Sequence, residues 1–412
     1  MTEYNLIQLD NGIRILLHYQ NSPITHSCMI VNAGSRDEEI GKYGVAHFIE
    51  HLLFKRTARR STNQILNRLE QVGGDLNAYT TKEYTCLHAS FLNSYLERAL
   101  DLFEDVLFHS TFPEHEIEKE KGVILDEIAS YLDSPEESIL DDFEDLLFQG
   151  SGLGHNILGL EEDLKKLGKS DVIDFMKSNY DTNQIVVAIA GNYTVKQVEK
   201  LANKIFGKIA PNTIVQKDDI VIANPAQKIK IEKSINQAHY MLGIQTFGIY
   251  DERKTAMLML NNILGGVGMS SILNLGIREK YGIAYTIESN FTMYSDSGHF
   301  NIYLGTDEEK LNKAVSLVNK ELVNLIKSPI SDYQLKIAKQ KFKGQIALAE
   351  EGRMNMIIAE AKNIIDYGEV VSLHKVFEKI DSVSADDLHQ LAQLYFNIDN
   401  MTSLSFIPEE EE

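Results

Sequence analysis

The feature that most constrains the fold is that the order of predicted elements starts again halfway along the chain. The first half shows strands, helices from about Gly44, further strands and amphipathic helices, and then a buried strand at 185–191. From about residue 228, strands, helices and strands follow in a similar order. An Asp-Glu pair precedes the first helix of each half, at Asp37 and at Asp251, which are 251 − 37 = 214 positions apart. The chain is therefore interpreted as a diverged tandem repeat.

The 412 residues divide most naturally between the two repeats. The regular spacing of apolar residues weakens around Pro211, Asn212 and Pro225, and such residues are typical of a connection between domains. We predict domains at 1–208 and 228–412, joined by a linker at 209–227. The fold class is α+β: two homologous α/β-roll domains in tandem, with mixed, mainly antiparallel sheets flanked by helices.

The charge of the chain excludes one class of partner. A formal net charge of −20 does not favour the clustered Lys and Arg that phosphate contacts require, so we expect no nucleic-acid binding. Basic or neutral peptides suit this balance better, although acidic surfaces commonly serve solubility alone.

The sequence also indicates a compartment. It has no run of roughly 18 apolar residues that could span a membrane, and its first residues do not resemble a targeting sequence, so we expect no membrane association. Cys28 and Cys86 lie in apolar, strand-like runs, which favours buried free thiols over a disulfide. We predict a cytoplasmic protein.

The predicted helix of residues 44–54 carries two stripes. The apolar stripe docks the helix on a core. The other stripe consists of His47, Glu50, His51 and Phe54, which follow the spacing i, i+3, i+4, i+7 and so share one helix face. Two histidines four residues apart can bind one tetrahedral zinc ion, while the carboxylate between them remains available to act on water.

Two readings compete for this stripe. The residues could be surface groups, or core histidines satisfied by hydrogen bonds. With 12 histidines in 412 residues, a chance His-x-x-Glu-His is expected only in roughly a few per hundred such chains. The pattern therefore favours zinc.

A catalytic zinc site needs a third protein ligand. A second amphipathic helix, at about 114–133, offers Glu120 and Glu127, two turns apart and beside its apolar stripe. The residues alone do not distinguish these from ordinary helix-surface acids, because the segment is rich in Glu.

The pattern resembles that of the pitrilysin, insulin-degrading enzyme and mitochondrial processing peptidase family, and the resemblance covers nearly the whole chain. In that family an inverted His-x-x-Glu-His motif is followed some 76 positions later by a glutamate ligand, and 51 + 76 gives Glu127. The resemblance thus implies zinc ligands His47, His51 and Glu127, one zinc per chain, Glu50 as the group that activates water, and Glu120 as a residue that orients the site.

The resemblance also assigns substrate contacts. The segment around Asn77, Ala78 and Tyr79 is similar to an edge strand that pairs with an extended peptide, and we assign Phe54 to substrate binding as well. Arg278 and Tyr285 match a pair that grips the substrate near the bond to be cut, whereas surface charge and core packing are the alternatives for them. The segment at 155–164 is also similar to family sequence.

The second repeat has Met257, Leu258, Leu260, Asn261 and Asn262 where the first has its motif, so we expect it to bind no metal and to form a wall of the substrate site. The resemblance implies two chains around a closed chamber, and a homodimer is simpler than a specialised pair. The expected activity is a zinc-dependent endopeptidase for short or unfolded peptides. A non-enzymatic scaffold of the same fold and a maturase of one peptide remain alternatives, as does the question of whether Arg278 and Tyr285 act in cis or in trans.

Overall fold

The computed structural model describes residues 4–215 and 221–409. The chain forms two compact units. The first contains the described residues within Met1–Ala129, His155–Asp219 and Leu348–Ser372. The second contains those within Ser130–Gly154, Ile220–Ala347 and Leu373–Glu412. The predicted linker falls partly on 216–220, which lies outside the described residues.

The sheet of the first unit has six strands in the order β1-β2-β6-β3-β5-β4. β2 and β6 are parallel, and the other pairs are antiparallel. β4 therefore lies at one edge. The strands are β1 (Tyr4–Gln8), β2 (Arg14–Tyr19), β3 (Ile24–Val31), β4 (Asp75–Thr80), β5 (Thr85–Leu92) and β6 (Ile185–Gly191).

Alternation along these strands builds two cores. Ile15 and Leu17 of β2 join the core beneath the helices of the first half, whereas Leu16 points to the opposite face of the sheet. The helices of the first half are α1 (Val45–Leu53), α2 (Thr62–Glu70), α3 (Leu96–Phe108), α4 (Glu114–Leu132), α5 (Pro135–Leu147), α6 (Glu161–Leu164), α7 (Lys169–Asn179) and α8 (Val195–Ile205).

The sheet of the second unit has five strands in the order β7-β11-β8-β10-β9, of which only β7 and β11 are parallel. These strands are β7 (Lys228–Lys233), β8 (Ala238–Phe247), β9 (Thr286–Met293), β10 (Ser297–Thr306) and β11 (Thr402–Pro408). The helices of the second half are α9 (Lys254–Leu264), α10 (Glu308–Lys327), α11 (Asp332–Ala349), α12 (Arg353–Tyr367), α13 (Leu373–Ser382) and α14 (Ala385–Tyr395), with a π-helical segment at Asn274–Glu279.

The two sheets share one topology. The order β2-β6-β3-β5-β4 in the first unit corresponds strand for strand to β7-β11-β8-β10-β9 in the second, including the single parallel pair. The predicted α+β class, with two rolls of mixed, mainly antiparallel strands flanked by helices, is therefore confirmed.

One feature of the fold escaped sequence reasoning. Helix α12 belongs to the first unit, where Ile357, Ala361 and Ile364 pack on the sheet face that includes Leu16. Helix α5 belongs to the second unit and packs against β8 and β11. The compact units thus do not follow the linear order of the chain.

Two further observations concern the expected environment of the protein. Within the described residues, no helix is both long enough and apolar enough to cross a membrane. Cys28 and Cys86 are buried, and both are free thiols.

Candidate metal centre

Helix α1 presents the motif because its two faces differ in chemistry. Val45, Phe48, Ile49 and Leu52 are each at most 1% exposed and join the main core of the first unit. Burial of such side chains contributes about 1.5–3 kcal/mol each, which fixes the rotation of the helix about its axis. The stripe of His47, Glu50 and His51 consequently emerges on the other side of α1.

The predicted ligands come together across two helices. His47 and His51 of α1 and Glu127 of α4 each offer a ligand atom, and these atoms all lie within 4.8 Å of one another. Glu127 Oε2 is 3.9 Å from His47 Nε2 and 3.6 Å from His51 Nε2. Among the residues that the structure describes, this is the one group of three such side chains that could hold a metal ion.

The donor set fits zinc. Zinc binds imidazole nitrogen and carboxylate oxygen at about 2.0–2.2 Å, which places tetrahedral ligands roughly 3.3 Å apart, only slightly closer than the two Nε2 to Oε2 distances observed. Burial, and secondarily the neighbouring His51, lowers the pKa of His47 to about 4, so its imidazole is neutral and able to bind a metal at physiological pH. Three protein ligands also leave the fourth position open, as catalysis requires.

The carboxylate of Glu120 contacts the ring nitrogen of His51 that does not face Glu127. Glu120 is only 2% exposed, and its Oε2 lies 3.3 Å from His51 Nδ1, the nitrogen on the far side of the ring from Glu127. Lys55 Nζ lies 2.8 Å from the same carboxylate oxygen, so the buried charge of Glu120 is paired. An acceptor at Nδ1 fixes the orientation of a metal-binding histidine and makes its other nitrogen a better ligand.

Glu50 is held beside the two histidines by the edge strand. Thr80 Oγ1, at the end of β4, donates a hydrogen bond of 2.7 Å to Glu50 Oε2. Burial raises the pKa of Glu50 above its ordinary value, and the hydrogen bonds from Thr80 act in the opposite direction. A buried carboxylate of raised pKa is a better proton acceptor than an exposed one.

The predicted peptide-binding segment forms the edge strand β4. Ala78 packs against the core on the helix side, whereas Asn77 and Tyr79 face the other side of the sheet, opposite His88 and Cys86 of β5. Because β4 has a neighbour on one side only, its remaining backbone groups can pair with an extended chain. Phe54, at the end of α1, is half-buried and packs against the same core.

Arg278 and Tyr285 belong to the second unit, and the metal ligands belong to the first. Arg278 lies on the π-helical segment and is exposed. Tyr285 is 55% exposed, and its hydroxyl donates a hydrogen bond of 2.8 Å to Asp307 Oδ1. Both side chains are therefore accessible to a ligand.

Sequence reasoning missed several residues that touch this centre. Thr80 and Lys55 contact Glu50 and Glu120, but a threonine at a strand end and a lysine after a helix give no signal of their own. Glu38 was noticed only as a marker of the repeat. The structure shows its carboxylate bound to the start of α1.

The chain is similar to known proteins along most of its length. Residues 14–161 match the insulinase family, peptidase family M16, and residues 166–342 match the M16 inactive domain. An uncharacterized zinc protease of Bacillus subtilis is 32% identical over 400 residues, covering 96% of both chains. A similar uncharacterized zinc protease of Streptomyces coelicolor is 31% identical, covering 93% of this chain and 85% of its own.

Solved structures show the same fold. A protease from Helicobacter pylori superposes with a TM-score of 0.89 at 20% identity, covering 99% of this chain and 100% of its own. A peptidase M16 inactive domain from Pseudomonas fluorescens also gives a TM-score of 0.89 at 20% identity, covering 99% of both chains.

Proposed function

The chain belongs to peptidase family M16, the insulinase family, and from that premise we propose that it is a zinc-dependent endopeptidase that hydrolyses short or unfolded peptides. The observation that carries this proposal is the convergence of His47, His51 and Glu127 beside Glu50. A second helix brings the third ligand to a motif that already holds two, and a carboxylate of raised pKa lies next to them.

His47, His51 and Glu127 would hold the zinc ion, which would supply Lewis-acid polarisation of the peptide carbonyl and a lowered pKa of bound water. Glu50 accepts the proton of the attacking water and delivers it to the leaving amine. Thr80 orients the carboxylate of Glu50 through its 2.7 Å hydrogen bond. Glu120 and Lys55 keep the ring of His51 in place.

The substrate lies as an added strand along β4, so that its backbone pairs with Asn77 to Tyr79 and the bond to be cut lies near Thr80 and Glu50. Phe54 takes part in binding as well. Arg278 and Tyr285 hold the substrate and the oxygen that gains negative charge during attack. Only an extended chain can pair in this way, which limits the substrates to short or unstructured peptides.

We further propose a homodimer that encloses the substrate, with Arg278 and Tyr285 of one subunit serving the metal centre of the other. The support is that one chain carries both the metal group and the Arg/Tyr pair, so a specialised partner is not required. Free buried thiols at Cys28 and Cys86 support a cytoplasmic location. The net charge of −20 favours basic peptides by long-range attraction.

The alternative is a binding or scaffold protein of the same fold, since the second half matches a domain described as inactive. Two measurements on protein purified without a histidine tag discriminate. The peptidase binds about one zinc per chain and digests an unbiased peptide library, whereas it leaves stable folded proteins intact. Absence of zinc and of cleavage supports the scaffold, and cleavage of a single sequence supports a dedicated maturase.

A preference for basic peptides is tested with matched peptides that differ only in Lys or Glu content. The faster cleavage of the Lys peptide should weaken as salt is raised, because screening shortens the reach of surface charge. A preference that salt does not change would exclude the electrostatic explanation.

A further inference from the structure

The start of helix α1 is capped from outside the helix. Gly44 precedes the first residue of α1 with φ 94°, a left-handed conformation that favours glycine, and it has no side chain to cap the helix. Glu38 caps the helix instead. Its Oε2 accepts a hydrogen bond of 2.7 Å from Gly44 N, and its Oε1 accepts one of 2.8 Å from Ala46 N. Neither amide has an acceptor within the helix, because both lie at its start. The helix dipole also favours an anion at this end.

Glu38 is itself held by the segment that begins at His155. His155 Nε2 lies 3.0 Å from Glu38 Oε2, and both side chains are buried. The ring of His155 stacks on Tyr43 at a centroid distance of 4.0 Å, and Lys82 Nζ donates to the carbonyl oxygen of His155. The contacts with Glu38 and Tyr43 therefore fix the position of the imidazole.

The backbone of the same segment also packs closely against the start of α1. A side chain at Gly159 would overlap Tyr43 O and the backbone of Gly44, so residue 159 must be glycine for this approach. Asp163 Oδ2 accepts a hydrogen bond of 3.3 Å from Tyr43 N. The sequence at 155–164, to which the proposed mechanism gives no role, thus packs against the residues that lead into α1.

Two observations connect this cap with the metal centre. Ala46, whose amide donates to Glu38, is the neighbour of His47 in the chain. Lys82 follows the end of β4, where Thr80 holds Glu50. Glu38 therefore contacts the helix that bears the two histidines, and His155 contacts a residue that follows the strand end that orients Glu50.

A shift of α1 along its axis would move His47 and His51 together relative to Glu127, which belongs to a different helix. The apolar stripe of α1 opposes rotation of the helix, but apolar contacts are not directional and resist sliding less well. The two hydrogen bonds that backbone amides at the start of α1 donate to the buried carboxylate of Glu38 define the axial position.

We infer that Glu38 and His155 are positioning residues of the metal centre, which set the axial position of α1 so that both histidines meet Glu127 around one ion. The inference rests on the proposed function only in that the ion is zinc. It predicts a role for these residues in metal affinity, whatever the substrate.

The test compares Glu38→Ala, Glu38→Gln and His155→Ala with Asp37→Asn as the matched control. Asp37 is the adjacent carboxylate, and it is exposed and accepts a hydrogen bond from Gly34 N rather than from the start of α1. For each variant, the zinc dissociation constant is measured by competition with a chelator, kcat and KM are measured separately at saturating zinc, and the melting temperature is measured without metal.

We expect the zinc dissociation constant to rise about 10- to 100-fold in Glu38→Ala and His155→Ala, the range found for residues that orient metal ligands. Glu38→Gln should give an intermediate value, because its amide offers one accepting oxygen in place of two. kcat should fall with KM unchanged within about twofold, and Asp37→Asn should bind zinc as the wild type does. If Glu38→Ala does not fold, Glu38→Gln and His155→Ala decide the question.

The inference is overturned if Glu38→Gln and His155→Ala bind zinc as tightly as the control. It is also overturned if zinc affinity falls only in step with the melting temperature, and does so equally in Asp37→Asn. Failure of the proposed function looks different. A wild type that binds zinc and responds to these substitutions but cleaves no peptide would exclude the peptidase while leaving the positioning role intact.

Discussion

Helices α1 and α9 are the first α-helices of their halves, and each follows a corresponding pair of strands, β2 and β3 before α1 and β7 and β8 before α9. In α1, one stripe is apolar and the other carries His47, Glu50 and His51. In α9, Met257, Met259 and Leu260 are at most 1% exposed and serve the core of the second unit. This topology therefore specifies where a helix docks, and the residues on the second face of that helix decide whether a metal centre exists.

The acids that precede these helices differ in the same way. Desolvation raises the pKa of Asp37 to about 6 although its side chain is exposed, and the adjacent, buried Glu38 is bound to the start of α1. Asp251 instead pairs with Arg253 at the surface, and this hydrogen bond lowers the pKa of Asp251. In the first half, the buried acid is Glu38, which is 8% exposed, whereas Asp251 of the second half is partly exposed and pairs with the neighbouring Arg253.

The largest expected effect comes from Glu50→Gln. Loss of the general base should lower kcat about 10³-fold, because positioned proton transfer contributes 10²- to 10⁴-fold. The zinc content should remain about one per chain, since Glu50 is not a ligand. The measurement is peptide cleavage together with metal analysis, and Glu118→Gln, at an exposed position of α4, is the control. Cleavage at the wild-type rate would exclude the mechanism.

The next prediction concerns whether Arg278 and Tyr285, in the half without the metal ligands, contribute to catalysis. Arg278→Ala combined with Tyr285→Phe should lower kcat by about 10²- to 10³-fold, the range for a lost oxyanion contact. Zinc binding should not change. Kinetics and metal analysis of the double variant measure both.

Complementation then shows which subunit supplies the pair. Glu50→Gln homodimers mixed equally with Arg278→Ala/Tyr285→Phe homodimers give half mixed dimers after subunit exchange. Each mixed dimer has one intact site of two if the pair acts in trans, so activity should recover to about a quarter of wild type. No recovery, with mixed dimers verified by native mass measurement, would mean that the pair acts within its own chain or not at all.

The third prediction compares Asp37 and Asp251, whose pKa values are shifted in opposite directions. Because the pKa of Asp37 is about 6 when folded and 3.8 when unfolded, its contribution to stability is present below pH 3.8 and is lost as the pH rises through 6. Because the side chain of Asp37 is exposed, solvent screening reduces this effect, so relative to Asp37→Asn the wild type should lose no more than about 1 kcal/mol of unfolding free energy between pH 4 and pH 7.

Asp251→Asn should show the opposite sign. The lowered pKa of Asp251 stabilises the fold above pH 3.8, and this contribution disappears as the pH falls through the folded pKa. Its size should stay below about 0.5 kcal/mol, because exposed ion pairs are screened by solvent. Denaturant titrations at several pH values measure both, and equal slopes for the two variants would contradict the contrast.

The last prediction concerns α9 itself. Asn262 Nδ2 donates a hydrogen bond of 2.9 Å to Gln345 Oε1 and is nearly buried. Asn262→Ala should lower the unfolding free energy by about 1 kcal/mol through loss of this bond. Zinc binding should not change, and a change in zinc affinity would contradict the division of roles between the two helices.

The features that could be predicted from the sequence are those that depend on neighbours along the chain. Helical spacing placed His47, Glu50 and His51 on one face, and alternation placed the strands, because both periods are fixed by backbone geometry. The repeated order of elements predicted two similar rolls. Glu127 was preferred to Glu120 only through family resemblance, since both lie on the same side of one helix.

Only the tertiary structure decided how distant segments meet. It buried Glu120 behind His51, brought Thr80 to Glu50, set Glu38 and His155 at the start of α1, and placed helix α12 in the first unit. None of these contacts leaves a period or a spacing in the sequence. They depend on how separate segments pack and on the requirement that buried charges find partners, which is a property of the whole fold rather than of any segment.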